Sequence, residues 1–94
     1  MSSPDLNSRP IPAPHARLRI DAVSGDPVLL FPEGLLVLNH TAHEIVRRCD
    51  GQTSIAELLR QLAEEFDVDG EILRHDLFEN LEQLRRRNLI LFSE

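Results

Sequence analysis

Polar and apolar positions alternate with period two in the first half of the chain and with a helical period in the second. Arg17-Leu18-Arg19-Ile20-Asp21 alternates strictly, the pattern of a half-buried strand with Leu18 and Ile20 inward. Ser24-Gly25-Asp26-Pro27 is a cluster of turn formers. Val28-Leu29-Leu30-Phe31 and Leu35-Leu36-Val37-Leu38 follow as short apolar runs joined by Pro32-Glu33-Gly34, which predicts a hairpin. Both runs are apolar on both faces, more than a one-sided sheet over a small core requires.

From Asn39 onward the period is helical. Asn39 can cap a helix with apolar positions Ala42, Ile45, Val46 and Cys49, and Thr41-x-x-Glu44 offers a capping box two residues later. Asp50-Gly51 stops it, the glycine being able to turn left-handed. Ser54-x-x-Glu57 is a second capping box, opening a helix with Ile55, Leu58, Leu59, Leu62 and Phe66 on one face. Asp67-Val68-Asp69-Gly70 breaks it. A third helix runs from about Glu71 to Arg87 with Leu73, Leu77, Leu81 and Leu84 as its core stripe, Asn88 as a left-handed cap, and Leu89-Ile90-Leu91-Phe92 as a closing apolar segment. Three strands followed by three helices predict an α+β, winged-helix-like domain with a three-stranded antiparallel sheet.

Ahead of these elements, residues 1–16 carry Pro4, Pro10, Pro12 and Pro14 among small and polar residues. Proline has no N–H to donate and breaks helices, so this stretch is expected to be a flexible tail that supplies no sheet ladder. Residues 17–94 are then the single domain. On that reading, residues 1–15 make few buried contacts and are dispensable for folding.

Composition narrows the function. With no Trp or Tyr, the core must be aliphatic. Net charge is −6 and all ten cations are arginines, a balance that speaks against general phosphate or nucleic-acid binding. The single cysteine, Cys49, excludes an internal disulfide framework. Met1-Ser2-Ser3-Pro4-Asp5 lacks the basic start and apolar stretch of a signal peptide, and no apolar run approaches the ~20 residues of a membrane span. The chain reads as cytoplasmic.

No constellation for catalysis emerges. His40 and His43 could face one ion, but no third ligand lies at helical spacing, and zinc normally takes three or four. Cys49 falls on an apolar helix face, where a thiol is buried and inert. Glu71, Asp76, Glu79 and Glu82 spread around the polar side of the third helix with arginines three or four residues away, a solvated face. Neither enzymatic activity nor a metal or cofactor of its own is expected.

Two surfaces exceed structural need. Leu35, Leu36, Val37 and Leu38 carry no interrupting charge or proline. At a sheet edge they would template an added strand; elsewhere they would be covered by helices or a second subunit. On the third helix, Arg74, Phe78, Leu81 and Arg85 form a row at i, i+4, i+7 and i+11, beside the Leu73–Leu77–Leu84 stripe. Either this row, with Leu77 behind it, meets an apolar, acidic peptide, or Phe78 packs on its own domain while the arginines pair with local acids.

Leu30-Phe31-Pro32-Glu33-Gly34, Leu38-Asn39-His40-Thr41-Ala42-His43-Glu44-Ile45, Cys49-Asp50-Gly51, Ala56-Glu57-Leu58 and Arg87-Asn88-Leu89-Ile90 together resemble the PqqD family across about residues 17–92. Asn88 stands where that family usually has glycine. The resemblance implies a recognition element for ribosomally made, modified peptides, binding its precursor as an added strand beside the third strand, in a groove walled by the third helix. The peptide-binding set would be Leu35, Leu36, Val37, Leu38, Arg74, Leu77, Phe78, Leu81 and Arg85. The guest would be the pyrroloquinoline quinone precursor (PqqA-like). It would be presented to a radical S-adenosylmethionine enzyme (PqqE-like) that joins a Glu to a Tyr and carries its own iron–sulfur clusters.

Two other readings remain. A winged-helix DNA-binding regulator would use the third helix for recognition, yet from Asp69 to Arg87 that helix is acidic on balance and its arginines bunch at the C-terminal end. A structural homodimer would join through the same strand edge.

Overall fold

A computed structural model describes residues 4–93. The chain order is β1 (Arg9–Pro12), β2 (Arg17–Ile20), β3 (Pro27–Phe31), β4 (Gly34–Val37), α1 (His40–Val46), α2 (Ile55–Glu65), α3 (Gly70–Arg86) and β5 (Ile90–Ser93). The antiparallel sheet β2-β3-β4 and the three helices match the expected winged-helix-like α+β class, and a second, two-stranded sheet pairs β1 with β5. Among the described residues no helix is long and apolar enough to cross a membrane.

Polar side chains set the helix starts. Asn39 Oδ1 accepts from the Ala42 N–H at 2.8 Å, Ser54 Oγ from Glu57 at 3.2 Å, and Asp69 Oδ1 from Glu71 at 2.8 Å. Each satisfies a first-turn donor that has no intrahelical partner. The Ser54 box forms only in part, because the Glu57 carboxylate is taken by Arg60 and Gln61. Thr41 lies inside α1, so its proposed box does not form.

The end of α3 follows from Asn88. It takes φ 59°, the Leu89 N–H reaches back to the Leu84 carbonyl at 3.0 Å, and the Asn88 N–H reaches Arg85 at 3.0 Å. Leu84 and Leu89 are both buried, completing a Schellman cap. Asn88→Ala is expected to cost about 1 kcal/mol, because alanine tolerates the left-handed region less well, and a urea melt would measure it.

The core is aliphatic. Leu29 from the sheet meets Ile45, Ile55, Leu58, Leu62, Leu77 and Leu81, with Leu89 and Ile90 closing one end. Beside it sits one buried carboxylate, Glu44, which accepts from Arg47 Nε at 2.8 Å and lies 3.1 Å from Arg48. Burial pushes the Glu44 carboxyl up, but Arg47, Arg48 and His40 together hold it below its ordinary value of 4.5. Arg48 also pairs with Glu65, tying α1 to the end of α2.

The strandless reading of residues 1–16 is corrected, while its part on residues 1–3 lies outside the described residues. Pro10 is fully buried, and Ser8, Ala13 and Ala16 are buried too. The prolines fit a strand because they sit two apart. The Ala13 N–H donates to the Leu89 carbonyl at 2.9 Å, so alternate residues 9, 11 and 13 point their donors toward β5. Pro10 and Pro12 fall on the other side, where no ladder donor is needed. On that side the backbone serves as acceptor: Leu6 receives the Ala56 N–H at 3.0 Å, Ser8 the Ile55 N–H at 2.9 Å, and Pro10 the Gly51 N–H at 2.9 Å. The segment thus satisfies two first-turn donors of α2.

Candidate functional site

β4 is an edge strand, since the sheet order is β2-β3-β4. Its pairing with β3 sets Gly34 opposite Phe31, Leu35 opposite Leu30, Leu36 opposite Leu29 and Val37 opposite Val28. The Leu38 N–H donates to the Pro27 carbonyl at 2.9 Å. Backbone groups alternate along an antiparallel strand, so Leu36 shares the inward sense of Leu38. Leu35 and Val37 therefore aim their N–H and C=O groups away from β3, at the free edge. Among the described residues this edge has no partner strand.

Side chains alternate across the sheet. Leu18, Leu29 and Leu36 share one row on the core side, while Leu35 and Val37 lie on the opposite face with 53% and 59% of their surfaces exposed. Leu38 is buried where the strand turns into α1. Of the four residues singled out from Leu35 to Leu38, Leu35 and Val37 are thus exposed, Leu36 is half-buried against the core and Leu38 is inside it.

On α3 the expectation needs correction. Leu77 and Leu81 expose no surface, so both belong to the core and neither is presented to a guest. Phe78 is half-buried against the core, with the Arg74 guanidinium 5.9 Å from its ring centroid. Arg74 and Phe78 share a hollow with Pro4, Asp5, Leu6 and Asn7 of the N-terminal segment. Arg85 donates from Nε to Glu82 at 2.8 Å.

The start of α1 meets the other flank of α3. Asn39, the cap of α1, and Thr41 in its first turn line a hollow with Asp76, Glu79, Asn80 and Gln83. At ~100° per residue these four lie across the leucine stripe from Phe78. The sequence separates the two flanks by periodicity but carries no signal for which of them stands beside the start of α1.

The remaining candidates find structural partners. Cys49 is buried, its Sγ donates to the Ile45 carbonyl at 3.1 Å, and burial, with Asp50 nearby, pushes the thiol up to about 12. That disfavours a thiolate at neutral pH. The His40 ring packs edge-on against Phe66 with centroids 5.5 Å apart. Among the described residues no group of three His, Cys, Asp or Glu side chains could hold a metal ion.

A strand edge that is unpaired among the described residues is a surface that can bind an extended peptide. Residues 27–90, from β3 to the first residue of β5, match the family described as Coenzyme PQQ synthesis protein D (PqqD). This chain belongs to the PqqD family. A relative from Xanthomonas axonopodis pv. citri (strain 306), named PqqA binding protein, is 33% identical over 90 residues, covering 96% of this chain and 98% of its own. Another of that name, from Pseudomonas paraeruginosa, is 35% identical over 77 residues, with 78% and 84% covered. The fold is similar to the solution NMR structure of the PqqD truncation of Methylobacterium extorquens PqqCD, with TM-score 0.74, 27% identity and 87% of each chain covered. That structure is described as a functional and stand-alone recognition element for ribosomally synthesized and post-translationally modified peptides.

Proposed function

We propose that this PqqD-family chain binds the precursor peptide of pyrroloquinoline quinone biosynthesis as an additional strand on β4. It then holds that peptide for a radical S-adenosylmethionine enzyme, whose cofactors supply all the chemistry. The observation that carries the reading is the free edge of β4, with the outward N–H and C=O groups of Leu35 and Val37. Names of relatives, which speak of PqqA binding, support the same guest.

In this arrangement affinity comes from main-chain pairing and specificity from alternate side chains. Guest residues pointing outward pack beside Leu35 and Val37. Those pointing inward face Leu36 and the α3 flank that bears Asp76, Asn80 and Gln83. This replaces the Phe78 flank as the wall of the groove. The edge is formed before the guest arrives, so binding orders mainly the peptide.

Two proline substitutions test the edge. Val37→Pro removes an outward donor and should leave the β3 ladder intact. It is expected to fold and to lose at least tenfold in peptide affinity, about 1.4 kcal/mol. Leu36→Pro removes an inward donor and should destabilise the sheet instead. Isothermal titration with the synthetic precursor peptide, beside urea melts, separates the two. Unchanged peptide affinity in a folded Val37→Pro variant would sink the strand-addition reading.

A further inference from the structure

We infer that Arg19, with Arg17 beside it, closes the β2 edge of the three-stranded sheet to strand addition, so that this sheet grows only from β4. The inference deepens the strand-addition reading: it names what keeps a guest, or the β4 edge of a second copy, from pairing on the opposite side.

The sheet has two edges, β2 and β4. Both begin with the same backbone chemistry. The Asp21 N–H donates to the Asp26 carbonyl at 2.8 Å, so Arg17, Arg19 and Asp21 share the sense that faces β3. Leu18 and Ile20 therefore aim their N–H and C=O groups outward, as Leu35 and Val37 do on β4. Left bare, either pair would template another strand.

Side chains make the two edges unequal. From Leu35 to Leu38 there is neither charge nor proline. β2 instead alternates cation and hydrophobe, and both of its arginines are exposed. Arg19 turns its guanidinium back along its own strand, where Nη1 donates to the Leu18 carbonyl at 2.8 Å. That carbonyl is one of the outward acceptors a new strand would need. Just ahead of the strand, the Ala16 N–H has the same outward sense and is taken by the Ala13 carbonyl at 2.9 Å. An incoming strand would have to displace the guanidinium from Leu18 and then lie alongside two arginines. An apolar strand in that place would strip water from the cations and offer no anion in return.

The consequence is greatest for a second copy of this chain. β4 of one copy on β2 of the next would join unlike edges, a head-to-tail contact that repeats from copy to copy instead of stopping at a pair. It would also occupy the β4 edge that the guest needs. The β4 run is apolar, so it is the kind of strand that the arginines of β2 turn away. An edge left open for a guest thus stays open because the other edge of the same sheet cannot receive it.

The test compares the full-length wild type, Arg17→Thr, the double variant Arg17→Thr/Arg19→Val and a triple variant that adds Val37→Pro. Urea melts check folding, which threonine and valine on an exposed strand should preserve. Sedimentation velocity over a concentration series, with and without the synthetic precursor peptide, reads assembly. Wild type and Arg17→Thr are expected to keep a fixed size as concentration rises. The average mass of the double variant should instead climb severalfold without reaching a limit, and both saturating peptide and Val37→Pro should suppress that growth. A folded double variant of fixed size overturns the inference. So does growth that survives Val37→Pro, or growth of Arg17→Thr as full as that of the double variant. If the double variant grows through β4 while wild type fails to bind the peptide, the strand-addition reading fails and the closed edge stands.

Discussion

Removal of residues 1–13 is expected to lower the unfolding free energy by about 4 kcal/mol or more, a large share of what a small domain possesses. The deletion takes away fully buried Pro10 and buried Ser8 and Ala13, together with partly buried Leu6. It also uncovers Leu89 and Ile90, which are 1% and 2% exposed in the intact chain. β5 would lose its only strand partner among the described residues, leaving a bare apolar edge. The Ile55, Ala56 and Gly51 N–H groups would lose their acceptors at the start of α2. Urea melts of the truncated and full chains measure the difference. A loss below about 1 kcal/mol would mean that the β1·β5 pair contributes little to the folded state.

Leu81→Ala and Leu77→Ala are each expected to cost about 3–5 kcal/mol of stability, because both side chains expose no surface and their removal leaves a void that a close-packed interior refills only in part. Peptide affinity of the fraction that remains folded should be unchanged. Phe78→Ala is expected to cost less, about 1–3 kcal/mol, since its ring is only half-buried and keeps Arg74 over one face. With the groove on the Asp76–Gln83 flank, this variant should also keep its affinity for the precursor peptide. If Phe78→Ala instead lost the peptide while melting normally, the groove would lie along the Arg74–Phe78 flank, as the row Arg74, Phe78, Leu81, Arg85 suggests in the sequence. Urea melts and peptide titrations on the same three variants decide between the flanks.

Much of this was legible in the order of residues because it depends on neighbours within a few positions. The caps at Asn39 and Ser54, the left-handed residue at Asn88, the leucine stripe of α3 and the hairpin around Pro32-Glu33 are local agreements between side-chain chemistry and backbone. Cys49 as a buried thiol follows from the same helical period. Even the N-terminal strand left a trace, since prolines two residues apart keep every missing donor on one side of a strand. Composition outweighed that spacing, because a proline-rich stretch finds a ladder only if a distant segment, here Ile90–Ser93, arrives to pair with its other side.

What the sequence by itself determined is which elements form and which faces are apolar: period-two and helical patterns are properties of single segments, set by steric preference and by the need to satisfy backbone groups nearby. Only the tertiary structure decided the rest. It made β4 an edge rather than a central strand and turned Leu35 and Val37 outward. It also set the start of α1 beside Asp76 and Gln83 instead of Phe78. These outcomes depend on how α3 is rotated and placed against the sheet, and that is fixed by packing between residues far apart in the chain, where helical periodicity treats both shoulders of a leucine stripe alike.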